Sequence, residues 1–102
     1  MNKKNYKRYK RSMERSIDNY GQVQLLMACE EMGELIQAIS KMERLMDSKE
    51  DRKKYKQHIV EEIADVQIML DELMLYYSID KDDVAKMKEE KIERLQKRAK
   101  NF

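Results

Sequence analysis

Proline and tryptophan are absent from this 102-residue chain, glycine occurs twice, and cysteine and phenylalanine occur once each. An all-β or parallel α/β fold needs turn residues every ~8–12 positions, which two glycines and no proline do not supply. What remains is an all-α protein. A lone Cys29 cannot form an internal disulfide, and its neighbours Leu26, Met27 and Met32 predict a buried thiol in a reducing compartment. No window approaches the roughly 18 apolar residues of a membrane span. The basic stretch from Met1 to Ser12 is followed by no apolar signal region, so the expected location is cytoplasmic, with no membrane partner.

What is abundant is charge. Lys, Arg, Asp and Glu make up 41% of the chain and apolar residues another 41%, while 22 bases and 20 acids leave a net charge of only +2. Bulk charge therefore predicts no nucleic-acid partner. At 12.4 kDa and a mean hydropathy of −0.94 the chain has room for one modest core. We read residues 1–102 as a single domain, with a basic segment at 1–19 and a core at 20–98. Lys3, Lys4, Lys7, Arg8, Lys10 and Arg11 all precede the first acid, Glu14, and are read as solvated helix-compatible charge.

Asp18-Asn19-Tyr20-Gly21 carries turn chemistry and predicts the first break. From Gln22 to about Met46, apolar residues at Leu25, Cys29, Met32, Leu35, Ile36, Ile39 and Met42 follow the period of a buried helix face. Asp47 to Asp51 reads as a short connection with Ser48 and Asp51 as candidate caps. A second long helix follows from about Arg52 through Ile59, Ile63, Val66, Met69, Leu70, Leu73 and Tyr77. So short a link makes the two helices antiparallel neighbours. Asp80, with Asp83 three residues on and Ile79 and Val84 placed as a staple, predicts the start of a last helix that runs to about Lys97. Its apolar stripe of Val84, Met87, Ile92 and Leu95 is thin, as on a helix that packs along one face.

Some residues do not suit a plain bundle. Glu30, Glu31 and Glu34 interrupt the first apolar run, and Glu61, Glu62 and Asp65 interrupt the second. Glu31 with Glu34, and Glu62 with Asp65, are i, i+3 neighbours whose like charges repel, more so when partly buried. Antiparallel helices with these faces together would gather four carboxylates, the hard oxygen donors that Mg²⁺ or Mn²⁺ takes. Gly33, between the paired acids, weakens the helix by about 1 kcal/mol relative to Ala and is read as permitting a close approach. One histidine, His58, lacking a Glu three residues before it, excludes the Glu-x-x-His pairs of a di-iron bundle, and one Cys with one His excludes a zinc site. The plainer reading of the acids is solvated charge on an amphipathic helix. Plain readings are also assigned to the methionines as core filler, to His58 as a surface or satisfied histidine, and to Tyr76 and Tyr77 as packing groups.

Glu30-Glu31-Met32-Gly33-Glu34, followed after 27 residues by Glu62-Ile63-Ala64-Asp65, resembles the E-E-x-x-E and E-x-x-D signature of the MazG-like all-α nucleoside triphosphate pyrophosphohydrolases. The likeness runs from about Tyr20 to Arg98. It implies a helical bundle of two long antiparallel helices with flanking N- and C-terminal helices, completed as a homodimer or a dimer of dimers. It also implies Mg²⁺-dependent hydrolysis of a nucleotide between its α and β phosphates. On the matching positions, Glu31, Glu34, Glu62 and Asp65 would be metal ligands, and Glu30, Glu31 and Glu34 would be catalytic, Glu30 by tuning the cluster or orienting a water. Lys41, seven residues after Glu34 and on nearly the same face, with Gln37 between, is the first candidate for the substrate phosphates. Lys91 and Arg94 of the last helix follow. Two alternatives remain: a phosphoribosyl-ATP pyrophosphohydrolase-like enzyme with the same chemistry, and a non-catalytic helical interaction module.

Overall fold

The computed structural model describes residues 1–44 and 49–101. These form four α-helices, α1 (Lys3–Tyr20), α2 (Gln22–Arg44), α3 (Lys49–Tyr76) and α4 (Lys81–Ala99), and no strand occurs among the described residues. The chain is all-α, as its composition predicts. No described helix is long and apolar enough to cross a membrane.

Helix α1 opens on Asn2, whose side chain accepts a hydrogen bond from the Asn5 N–H at 2.8 Å, which satisfies one of the first-turn donors. It also runs further than the turn residues suggest. Asp18, Asn19 and Tyr20 are helical, and Gly21 alone makes the break, at φ 49° and ψ −121°, with its N–H donating to the Ile17 carbonyl at 2.7 Å. A side chain at that φ meets its own backbone, so glycine takes the turn and the polar residues before it keep their helical hydrogen bonds. Nor is α1 purely solvated: Met13 is buried, and the Tyr9 hydroxyl donates to Asp71 Oδ2 of α3 at 2.9 Å.

The centre of the molecule is the seam between α2 and α3, with α1 packed on both. Here the inward line of α2 differs from the expected one. Gln24, Ala28 and Ala38 are buried, with Glu31, Leu35 and Met42 partly covered along the same face. Ile36, by contrast, is 68% exposed and Cys29 is exposed too, so the buried thiol expected from its neighbours is not found. The reason is size. Alanines on the seam let the α3 backbone come close, and the larger side chains one position away are turned onto a flank of the hairpin. Gly33 supports no close approach, because a Cβ there would meet nothing within 4 Å.

Helix α3 begins at Lys49, earlier than the expected Arg52, and Glu50 and Asp51 lie in its first turn, where carboxylates suit the helix dipole. The expected cap Ser48, with Met46 and Asp47, falls outside the described residues. At the other end the Ile79 N–H donates to the Met74 carbonyl at 2.8 Å and the Ser78 N–H to that of Leu75 at 3.2 Å, with Ser78 at φ 55°. That pairing is a Schellman motif with serine where glycine is usual. Asp80 then caps α4, as expected. Its side chain accepts from the Asp82 N–H at 2.8 Å, while Asp83 contributes its backbone N–H to the Asp80 carbonyl rather than closing a side-chain box. Helix α4 has no buried residue and packs along none of the other three.

Candidate metal centre

Glu31 reaches the seam from α2, and Glu62 and Asp65 reach it from α3. One carboxylate oxygen from each lies within 4.8 Å of the other two. The i, i+3 spacing of Glu62 and Asp65 puts both on one stripe of α3, and the same spacing puts Glu34 beside Glu31 on α2. Of the four expected ligands, the structure therefore gathers three in the tightest group and leaves Glu34 at its edge. Glu34 still acts on the group: its charge raises the pKa of both Glu31 and Glu62.

Burial distinguishes the members. Glu62 is 7% exposed, Glu31 partly covered and Asp65 exposed, so the group opens to solvent on the Asp65 side. The Oε2 atoms of both Glu31 and Glu62 are buried and have no hydrogen-bond partner. Desolvation pushes the pKa of each carboxyl above the ordinary glutamate value, and repulsion from the surrounding carboxylates adds to it. Glu30, exposed on the outer side of α2, adds a small push of the same sign on Glu31. A helical seam filled with alkyl groups would have none of these costs. Buried acids with orphaned oxygens fit a divalent cation, which removes the repulsion and supplies the missing partner at once.

The site also has a neighbour on α3 that lies at the surface, as expected, with its side chain 50% exposed. His58 Nε2 lies 3.8 Å from Glu62 Oε1, and its charge opposes the rise in the Glu62 pKa. The signal was present in the chain, since His58 and Glu62 are i, i+4. Further along α3, Glu72 is a second partly covered acid with an unpartnered oxygen, and burial raises its pKa as well. Tyr9, held by Asp71, is likewise shifted upward by burial and by that bond. This polar contact between α1 and α3 joins residues 62 positions apart, so no local spacing announces it.

The expected substrate groups divide in two. Gln37 and Lys41 are exposed on α2, and Lys41 stands about 10 Å along the axis from Glu34 at 1.5 Å per residue. Lys91 and Arg94 lie on α4, which has no buried residue and no extended packing against α2 or α3. No protein-family model, no curated protein and no solved structure matches the chain.

Proposed function

We propose that the chain is a Mg²⁺-dependent nucleotide pyrophosphohydrolase, cleaving a nucleoside triphosphate between the α and β phosphates to a monophosphate and pyrophosphate. The observation that carries this reading is the carboxylate group at the α2–α3 seam, with the buried, unpartnered oxygens of Glu31 and Glu62. The order and spacing of the acids, which resemble the MazG-like signature, select the reaction among those that such a centre serves.

Glu31, Glu62 and Asp65 would hold the cation, and Glu34 stands where it can join them or bind a water. When bound, Mg²⁺ supplies charge neutralisation at phosphate oxygens and a more acidic water. The chain's own contribution begins with a rigid frame, since ligands on two packed helices keep their separation without reorganising. A carboxylate of the group, with Glu34 at its edge the freest, accepts the proton of the attacking water, and Glu30 tunes the group or orients that water. Gln37 and Lys41, on the stripe that continues from Glu34, face the phosphates, and the Lys41 ammonium offsets charge on the departing pyrophosphate. Substrate is a nucleotide, Mg²⁺ or Mn²⁺ the cofactor, and a homodimer or dimer of dimers the assembly that the reading implies.

The test is pyrophosphate release from a panel of ribo- and deoxyribonucleoside triphosphates, each with Mg²⁺ and with EDTA. Release that needs the metal and ranks the nucleotides supports the reading. No release from any member by folded protein at high concentration counts against it.

A further inference from the structure

The net charge of +2 hides an uneven distribution. Helix α1 holds seven bases and two acids, a net +5, which leaves −3 for the rest of the chain. Six of the seven, Lys3, Lys4, Lys7, Arg8, Lys10 and Arg11, fall within about 12 Å of helix axis at 1.5 Å per residue. At roughly 100° per residue they spread over an arc of about 160°. The acids Glu14 and Asp18 come only after them. All six are exposed, and none pairs with a carboxylate of the described residues.

The charges of α1 also run against its dipole. Its first turn holds Lys3 and Lys4 and no acid, and its last turn holds Asp18 and no base. By contrast, α3 and α4 place acids in the first turn, and α2 and α4 place bases in the last. Bases at the positive end of a helix are unfavourable, and an anion from outside relieves the cost. The fold then enlarges the patch. Lys81, the first residue of α4, lines a cavity of about 300 Å³ with Lys3, Tyr6 and Lys7, and another of about 530 Å³ with Tyr6 and Lys10. Asp71 borders the larger cavity, where its carboxylate accepts the Tyr9 hydroxyl.

The shape of the patch selects the partner. The apolar side of α1 is turned inward, with Met13 buried and Tyr9 and Ile17 partly covered, so no hydrocarbon stripe is left to sink into a membrane. A flat anionic surface would meet only part of so wide an arc. The major groove of duplex DNA, about 12 Å wide, admits a helix about 10–12 Å across and carries phosphates on both rims. A duplex bears one charge per roughly 1.7 Å of axis, so a stretch of about 12 Å offers about seven phosphates to the six bases and Lys81.

We propose that α1, together with Lys81, is a docking surface for the phosphate backbone of duplex DNA, bound without regard to base sequence. The uneven placement of charge, which the net value conceals, carries this inference, and it does not depend on what the carboxylates at the seam do.

The test uses the full chain in EDTA, so neither metal nor hydrolysis at the seam enters the result. Fluorescence anisotropy with labelled duplexes of about 20 base pairs is expected to show binding at about 50 mM salt, and a loss of at least about 100-fold in affinity by about 200 mM. Two unrelated duplex sequences should bind within about threefold of each other. Lys7→Gln, Arg8→Gln and Arg11→Gln together should weaken binding at least about tenfold and lessen the slope of log affinity against log salt by roughly 2–3, at unchanged helicity. Lys97→Gln, Arg98→Gln and Lys100→Gln together remove the same charge at the far end of α4 and should change affinity by no more than about threefold. No binding by folded protein at about 50 mM salt would overturn the proposal. So would equal losses in the two triple variants, or tighter binding to the matching single strand or to phosphatidylserine vesicles than to the duplex.

Discussion

On one side of the α2–α3 seam, the buried Glu62 and the partly covered Glu31 bring carboxylates up against the exposed Asp65, and on the other, Ile36, Ile39, Ile63 and Leu70 leave hydrocarbon in water. Both arrangements cost free energy in a single chain, and they differ in what relieves the cost. A proton or a small cation would relieve the acid side; an area of apolar surface would relieve the other. A helical hairpin with well-matched flanks would have had neither need. The two unmet needs are the parts of this molecule that speak to function, and they can be probed separately.

The largest effect is expected at Glu62. Glu62→Gln keeps the shape and removes the charge that is most buried, and pyrophosphate release should fall at least about 100-fold, as the loss of a metal-site group commonly does. The metal-free variant should at the same time melt higher than the parent, because a buried charge among like charges has been removed. A rate close to the parent's in a steady-state assay would remove Glu62 from the chemistry. A large loss of rate with a lower melting temperature would instead make it a structural group.

The next contrast is between metal and no metal. A ligand that binds only the folded chain stabilises it by about 2.7 kcal/mol at a hundred times its dissociation constant. Mg²⁺ should therefore raise the melting temperature of the parent chain and leave that of Glu62→Gln nearly unmoved. Equal shifts in both would place the ion elsewhere. Ile36→Glu, altered on the other flank, should keep the metal response per folded chain, which keeps the two sides of the seam distinct.

Acidity offers a third way to separate them. The folded pKa of Glu31, Glu62 and Glu72 lies above the ordinary glutamate value, with burial the leading cause in each. Between the unfolded value and the raised folded one, the folded chain binds more protons than the unfolded chain, so stability falls as pH rises through that window. Metal-free protein should thus be more stable in urea at mildly acidic pH than near neutrality, and added Mg²⁺ should flatten the slope near neutrality. A flat response, without metal, would mean that the acids are solvated after all, and a slope of opposite sign that the folded chain favours their ionised forms.

Much of this was legible in the chain. Scarce glycine and proline gave the all-α class, the 3.6-residue period gave the two long helices, and the i, i+3 acids pointed to Glu31, Glu34, Glu62 and Asp65, three of which the structure groups most tightly. Periodicity ranks apolar positions without saying which of two adjacent stripes faces inward, and so Cys29 and Ile36 were expected inside when Ala28 and Ala38 hold the seam. Small side chains give a weak hydropathy signal and a strong packing one. Contacts far apart in sequence, such as Tyr9 with Asp71, have no local trace at all. His58 is the instructive middle case, because its spacing to Glu62 was visible and its meaning depended on Glu62 being buried.

The smallest predicted effect belongs to Gly33, which lies between Glu31 and Glu34 in sequence yet has open space where a side chain would stand. Its backbone is helical without a positive φ, so alanine fits the same conformation and removes the extra freedom of the unfolded chain. Gly33→Ala should stabilise the protein by about 1 kcal/mol, or roughly 4–8 °C in melting temperature for a domain of this size. The position belongs to neither the acid group nor the apolar flank, so activity and mass should both stay at parental values. A loss of stability together with a lower mass would put another chain's backbone against Gly33, and would place an interchain contact on the outer face of α2.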